Sequence, residues 1–560
     1  MAIATSTAGK RWRVRPEPPV ILRGDWPPLI GRLLAHRGVT SADEARAFFD
    51  GGTPPALPAL PDLGPAVERL ARACRAGEQV AVFGDFDVDG ITSAALLTES
   101  LAALGARPIP YLPHRVDEGY GLNNEAIDSL RQLGATLLVS ADCGTSSVEE
   151  IAHARRLDMD VIVLDHHKVP ERLPLGALIV NPKRDDAIRE EPAACGIAWY
   201  VLRALHDALG RPADEARLLE LAALGTVCDM APLAGENRRL VRDGLRALVR
   251  TERPGLRALM EVAAVNPARI DTEAIGFALG PRLNAAGRLA HARLAFDLLT
   301  TPDEERARDL AIELDSLNRQ RQQATEAAVA LAEELLADEG DPPLLMLGHA
   351  ELPAGIVGLV AARLVDARQR PAVVYQQGDE ESRASCRSIP QFDITQALRD
   401  CPRELFVRFG GHRAAAGFTA RNEHLPAIKE RLLAIAGERL AGEELQPTIE
   451  IDAELPLAAL RGEEIRWLAR MAPHGIGNPE PTFLSRNVVV AERQNVGADG
   501  KHLRLKLRDG GVAWPAIAFR QTGDGIAAGE RIDLVYSLSA DRRLSDGLEL
   551  RVVDLRTVNG

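Results

Sequence analysis

No apolar run in the 560-residue chain is long enough to span a bilayer, and Met1–Arg15 holds no apolar core of signal-peptide length. A soluble, cytoplasmic protein with no membrane partner is the expectation. Cysteine is sparse. The six thiols (Cys74, Cys143, Cys195, Cys228, Cys386 and Cys401) are scattered without the paired spacing of a zinc site and fit reduced side chains better than a disulfide framework. Basic charge is also in deficit: 67 Lys and Arg face 80 Asp and Glu, a net charge of −13, and arginine far outnumbers lysine. That excludes a protein that coats nucleic acid nonspecifically, but not one with a local basic channel. The remaining composition, 46% hydrophobic and 26% charged, is that of an ordinary globular protein, and the length calls for two to four domains.

Against this background one stretch stands out, Val80–Ser93. The apolar run Val80–Phe83 has the character of a buried parallel strand. It ends in Gly84, after which Asp85, Asp87 and Asp89 follow at every second position, and Gly90 turns the chain into the helical spacing of Ile91–Leu104. Acids crowded at the end of a buried strand repel one another and lose hydration, which a chain tolerates when a cation sits among them. From Ala66 onward strands and helices alternate, the pattern of a doubly wound parallel sheet. Leu137–Ser140 reads as a second strand and ends in Ala141-Asp142-Cys143-Gly144; Val161–Leu164 reads as a third and ends in Asp165-His166-His167. Asp229 lies between apolar neighbours just ahead of Pro232. In open α/β sheets ligands bind outside the carboxyl ends of the strands, so these groups point to one shared site.

Carboxylates with imidazole, and no thiolate cluster, favour Mn²⁺ or Mg²⁺. Five to seven such ligands exceed what one ion needs from the protein, so two ions are expected, with hydrolysis of a phosphoester or phosphoanhydride as the reaction class. Arg282 and Arg288 fall in what reads as a Gly/Asn-rich loop, where guanidinium groups can fork onto phosphate.

Asp85-Phe-Asp87-Val-Asp89-Gly90, Asp142, Asp165-His166-His167 and Asp229 resemble the four motifs of the DHH phosphoesterase superfamily. Their order and intervals, with Arg115–Leu122, Gly280–Arg288, Gly410-Gly411-His412 and Gly475–Pro481, resemble the RecJ-type single-strand-specific exonucleases within it. The resemblance implies a DHH domain over 65–300 after an N-terminal extension (1–64), a connecting helix (301–340), a second small α/β domain of the DHHA1 type (341–440) and a C-terminal antiparallel β-barrel, an OB fold (441–560). It implies Asp85, Asp87, Asp89, Asp142, His166 and Asp229 as metal ligands, with Asp142 a bridge. Asp165 would orient His166, and His167 would face the scissile phosphate. Arg115 would meet a 5′ phosphate and Tyr120 would stack on the terminal nucleotide. Arg282, Asn284, Arg288, Ser385, Arg387, Gly410, Gly411 and His412 would hold the substrate.

The implied activity is 5′→3′ hydrolysis of single-stranded DNA to mononucleotides in repair and recombination, by a monomer that works with a single-stranded-DNA-binding protein and a helicase. The alternative is a DHH phosphodiesterase acting on short oligonucleotides or cyclic dinucleotides, and a decayed, non-catalytic scaffold is a third reading. The region with the Arg/Trp/Pro-rich lead Arg11–Pro16 is expected as a strap over the following domain, with a basic arm that touches nucleic acid as the alternative. In the C-terminal region Lys501, Arg504, Lys506, Arg508, Trp514 and Phe519 are candidates for gripping a strand. Two departures from the family pattern fall in the second domain: Leu352-Pro353 where Trp-His is usual, and Cys386 where glycine is usual. Cys143 and Cys228, beside metal acids, suggest sensitivity to thiol oxidation.

Overall fold

The computed structural model describes residues 10–50, 60–185, 191–497, 500–521, 526–540 and 547–558. They form two compact units, residues 55–444 and residues 1–54 with 445–560.

In the larger unit the first sheet is fully parallel, in the order Arg107–Tyr111, Gln79–Gly84, Leu137–Ala141, Asp160–Leu164, Ala177–Val180. Its central strands are apolar almost throughout because helices cover both faces. Val80, Val82, Leu137 and Val139 pack under Leu63–Ala76, Val88–Leu104 and Ala194–Leu209, while Ala81, Phe83, Leu138 and Val161 pack under Asn124–Gln132 and Val148–Arg156. Gln79–Gly84 comes first in the chain yet sits between the second and third strands. The winding therefore reverses between Gln79–Gly84 and Leu137–Ala141, and the crevice of a doubly wound sheet opens at that point.

Helices follow, among them Glu215–Cys228 and Gly280–Leu289, and then one helix of 33 residues, Glu304–Leu336. Asp303 caps it by accepting from the Arg306 amide at 2.7 Å. At 1.5 Å per residue it is about 50 Å long. Leu310 and Leu314 are buried in the core of the first sheet, whereas Ala328, Ala332 and Leu336 belong to the core of the second with Val357, Val360 and Leu364. The connector is thus a structural member of both cores. The second sheet runs Arg408–His412, Ala415–Arg421, Glu381–Arg387, Ala372–Gln376, Leu345–His349, with only the last two parallel.

In the smaller unit, Phe483–Val496, His502–Asp509, Val512–Ala518, Leu548–Thr557 and Arg531–Ala540 pair in that order, and Phe483–Val496 pairs with Arg531–Ala540 to close the barrel. The barrel is not wholly antiparallel, since Val512–Ala518 and Leu548–Thr557 run parallel. Thr448–Ile451, which reads as one of its strands, instead pairs in parallel with Arg11–Val14. The lead segment belongs to this unit: Trp12 donates from Nε1 to Asp554 Oδ2 at 2.7 Å, and Ile30, Leu33 and Leu34 are buried in the barrel's core. The apolar Leu503, Leu505 and Leu507 turn inward while Arg504, Lys506 and Arg508 alternate outward. Among the described residues no helix is long and apolar enough to cross a membrane.

Candidate metal centre and phosphate-binding cleft

Each acid is placed by a local rule. Asp87 caps the helix Val88–Leu104 by accepting from the Asp89 amide at 2.9 Å. Asp89, the second residue of that helix, accepts from the amides of Ala194 and Cys195 at 2.7 and 2.9 Å, the positive end of Ala194–Leu209. Gly84 and Gly90 permit this turn: a Cβ on Gly90 would lie 2.3 Å from the Asp85 nitrogen, and one on Gly84 would lie 2.4 Å from the Gly90 carbonyl oxygen. Asp142 stands one residue past its strand with left-handed backbone, φ 64°. Asp229 ends the helix Glu215–Cys228.

These acids converge in two groups with all candidate ligand atoms within 4.8 Å: Asp85, Asp87 and Asp142, and Asp89, His166 and Asp229. Asp142 also meets His166 and His167, and its Oδ1 lies 3.2 Å from His166 Nε2. Burial first, and neighbouring carboxylates after it, push Asp85 and Asp142 well above the ordinary range, Asp89 to about 6 and Asp229 to about 9. Asp85 Oδ1 is buried without a hydrogen-bond partner. Burial and the neighbouring His167 pull His166 down to about 3, leaving a neutral imidazole. Crowded carboxylates, an orphaned oxygen and a neutral imidazole form the donor set of a hard or borderline divalent ion.

Asp165 does something other than expected. Its Oδ1 accepts from His167 Nδ1 at 2.8 Å and from the amides of His166 and His167 at 2.8 and 3.1 Å, and its Oδ2 accepts from Thr145 N at 3.0 Å. It therefore orients His167, not the His166 ring. Asn181, fully buried, reinforces this by donating to the His167 carbonyl and to Thr145 Oγ1, both at 3.0 Å. The Tyr120 hydroxyl donates to the Asp142 carbonyl at 2.9 Å and lies 3.1 Å from His167 Nδ1, while its ring stays half exposed.

The second sheet closes the cleft. His412 stacks on His167 with ring centroids 5.7 Å apart, and Arg383 donates to the Val116 carbonyl. A Cβ on Gly411 would lie 2.4 Å from the Ala416 Cα, so this strand pair requires glycine there; Gly410 is exposed and open. Ser385 and Arg387 lie beside the start of the helix Val357–Arg368, where a Cβ on Gly358 would meet Ser385 Oγ at 2.9 Å and Arg387 Nη2 at 3.1 Å. Arg288 donates to the Gly355 carbonyl at 3.2 Å. Burial and the guanidinium groups of Arg115, Arg321 and Arg387 pull Arg288 down to about 9. The Arg115 guanidinium lies 3.8 Å over the Phe86 ring and its Nε is buried without a partner. Asn284 Oδ1 is likewise unpartnered. Convergent cations beside a helix N-terminus are an arrangement that suits an anion.

Several expectations change here. Gly280–Arg288 is not a loop but lies within the helix Gly280–Leu289, and Arg282 does not face a phosphate: its Nε donates to Asp315 Oδ1 of the long helix at 2.9 Å. Cys386 departs from the family pattern without touching the pocket, because strand alternation turns it into the core while Ser385 and Arg387 face outward. Leu352 is likewise buried in the second core. The thiols of Cys143, Cys195 and Cys228 are pushed up by burial first and nearby carboxylates after it, which disfavours the reactive thiolate. In the barrel unit Trp514 packs against the core and Lys506 pairs with Glu492 at 2.9 Å; Phe519 remains exposed beside His502 and Arg551. Sequence reasoning also missed Asn181, although it follows the apolar strand Ala177–Val180 in the same way as the acids follow theirs. It missed Gly225 too, and the packing role of Gly287 within its motif: a Cβ on Gly225 would lie 3.0 Å from Asp89 Oδ1, and one on Gly287 would lie 2.5 Å from the Phe86 carbonyl oxygen.

The chain matches the models of the DHH family N-terminal domain over residues 79–226, the DHHA1 domain over 341–438 and the RecJ OB domain over 451–554. It is 37% identical to the single-stranded-DNA-specific exonuclease RecJ of Salmonella typhimurium, over 89% of this chain and 90% of that protein. It is 34% identical to the protein of the same name from Bacillus subtilis, over 91% of this chain and 66% of the relative, which is the longer protein. Among solved structures, the Mn²⁺ complex of RecJ from Thermus thermophilus matches with a TM-score of 0.83 at 32% identity, over 98% of this chain and 80% of that one. Its Mg²⁺ complex matches with a TM-score of 0.77.

Proposed function

This chain belongs to the RecJ family of single-stranded-DNA-specific exonucleases, and on that premise we propose that it degrades single-stranded DNA from the 5′ end to 5′-mononucleotides, in DNA repair and recombination. The observation that carries the reading is a cluster of acids with His166 next to a group of cations, Arg115, Arg288 and Arg387, with Ser385 among them. Asp85, Asp87 and Asp142 would hold one divalent ion, and Asp89, His166 and Asp229 a second. When bound, Mn²⁺ or Mg²⁺ lowers the pKa of a water nucleophile and neutralises phosphoryl oxygens.

The chain's own residues do the rest. The arginines and Ser385 take the 5′-terminal phosphate and set the polarity, because a 3′ hydroxyl offers that pocket no charge. His167, fixed through Nδ1 by Asp165, donates a hydrogen bond to the scissile phosphate, and His412 holds its ring by stacking. The Tyr120 ring gives the first base a stacking surface, and outward Arg504 and Arg508 with Phe519 suit a strand on the barrel unit. On this reading the enzyme acts in the cytoplasm as a monomer, on strands opened by a helicase and held by a single-stranded-DNA-binding protein.

The test is digestion of 5′-labelled and 3′-labelled single strands, with duplex controls, in Mn²⁺ and in EDTA, alongside Asp142→Ala. Early release of mononucleotide from the 5′ label alone, abolished by EDTA and by the substitution, is the expected result. Survival of long strands while short oligonucleotides or cyclic dinucleotides are cut would replace it with the phosphodiesterase reading.

A further inference from the structure

Behind the terminal-phosphate pocket three helices meet: the last turn of Gly280–Leu289, the middle of Glu304–Leu336, and Val357–Arg368. Their approach is close. A Cβ on Gly355 would lie 2.2 Å from the Arg288 carbonyl oxygen, and Leu289, Ala324 and Val357 share one apolar core. From this junction a row of arginines leads outward. Arg288 is partly buried at the pocket. Arg321, also partly buried, donates from Nε and Nη2 to Asn318 Oδ1 at 3.1 and 2.9 Å; Arg363 is exposed on the adjoining helix.

None of the three forms an ion pair with a carboxylate among the described residues. Other shielded arginines of this unit do: Arg69 with Glu78 and Asp160, Arg253 with Glu99 and Glu220, and Arg282 with Asp315. A chain with a net charge of −13 has acids available, yet the one carboxylate that acts on Arg288 is Asp87 of the metal cluster, and none acts on Arg321. Burial and like charge lower both inner guanidinium groups, Arg288 through Arg115 and Arg321, and Arg321 through Arg363. Shielded cations that face one another without an ion-pair partner cost folding free energy that a bound anion removes.

We propose that Arg321 and Arg363 form a second anion subsite, continuous with the terminal-phosphate pocket, that takes the further phosphoryl groups of a 5′-di- or triphosphate. It rests on the assignment of Arg115, Arg288, Ser385 and Arg387 to the 5′-terminal phosphate. A strand with a 5′-triphosphate would then be a substrate in its own right. Water adds to the phosphorus of the first internucleotide linkage and the bond to the 3′ oxygen breaks, with that oxygen taking a proton. The first product is a nucleoside 5′-triphosphate, and the remaining strand carries an ordinary 5′ phosphate. Only the first turnover uses the subsite.

The experiment compares one single-stranded sequence bearing a 5′-monophosphate or a 5′-triphosphate, with wild type, Arg321→Ala, Arg321→Lys and Arg363→Ala. Inorganic tripolyphosphate is added as an inhibitor of monophosphate-end digestion. Wild type should release nucleoside triphosphate first from the triphosphate end. Arg321→Ala should lose about tenfold or more in kcat/KM on that end, with the monophosphate end unchanged and partial recovery in Arg321→Lys. Arg363→Ala, at an exposed position, should show the same selective loss and keeps the test open if Arg321→Ala misfolds. Given that selective loss, weaker tripolyphosphate inhibition in the variants shows that free polyphosphate also enters the subsite; unchanged inhibition shows that it enters only on a strand. A triphosphate end that wild type cannot start on overturns the inference, as does equal loss on both ends, which would make these arginines part of the strand path. Failure of wild type on the monophosphate end would instead sink the exonuclease reading.

Discussion

Gly225→Ala is the smallest substitution that should reach the metal centre from outside its motifs. Gly225 sits in the helix Glu215–Cys228 where it crosses Val88–Leu104, and the added methyl carbon would stand 2.4 Å from Thr92 Oγ1, 2.6 Å from Cys195 Sγ and 3.0 Å from Asp89 Oδ1. No flexible side chain can yield. Thr92 Oγ1 donates to the Val88 carbonyl at 2.8 Å, Cys195 Sγ donates to the Ala222 carbonyl at 3.2 Å, and the Asp89 carboxylate is held by two amides. The helices must separate, at an overpacking cost of about 1–3 kcal/mol. Because Asp89 moves with them, Mn²⁺ affinity should fall as well, and each tenfold loss removes about 1.4 kcal/mol of the stabilisation that saturating metal confers. Thermal denaturation with and without Mn²⁺ separates the two effects: the metal-free midpoint drops, and the Mn²⁺-dependent rise shrinks. Gly64→Ala is the control, since its Cβ would meet nothing within 4 Å, and it should be neutral or stabilising by up to about 1 kcal/mol. A Gly225→Ala protein whose midpoint and Mn²⁺ response both match wild type would refute the argument.

Other outcomes follow from the same geometry. With folded-state values raised by burial and neighbouring acids to about 6 for Asp89 and about 9 for Asp229, these carboxyls stabilise the metal-free protein at low pH and lose that contribution as pH rises through those values. Metal binding should therefore release protons and tighten between pH 6 and 9, and calorimetry in two buffers of different ionisation enthalpy that finds no proton release would count against it. His167→Ala should lower kcat by about 10²–10⁴-fold while Mn²⁺ affinity stays within a few-fold; a large loss of affinity in a titration would make His167 a ligand. Arg282→Ala leaves Asp315 with only its exposed partner Arg319, so it should destabilise by about 1–3 kcal/mol without raising KM, and a higher KM would return Arg282 to the substrate site. Iodoacetamide at neutral pH should leave activity intact, because burial raises the thiols of Cys143, Cys195, Cys228 and Cys386; rapid inactivation would overturn that reading.

What could be read from the residues, and what could not, divides along the range of the interaction. Asp85, Asp87, Asp89, Asp142 and the pair His166-His167 were legible because each follows an apolar strand, and strand ends in a doubly wound sheet share one crevice. Asp229 was legible as an acid between apolar neighbours after a stretch that reads as a helix or a buried segment, and it ends the helix Glu215–Cys228. Arg282 and Arg288 illustrate the limit. Both lie in one motif, six residues apart, and both read as phosphate ligands; only the facing element decides between them. Arg282 meets Asp315 from the long helix, while Arg288 meets Gly355 and lies near the guanidinium groups of Arg115, Arg321 and Arg387. The same motif also misled on local structure. Its glycines suggested a loop, but Gly280 and Gly287 are helical residues kept small by what they touch, Cys228 Sγ and the Phe86 carbonyl oxygen. A glycine retained for turning and a glycine retained for close packing look alike along the chain. They differ in what a methyl group would strike, and at Gly225 and Gly287 that is the wall of the metal centre.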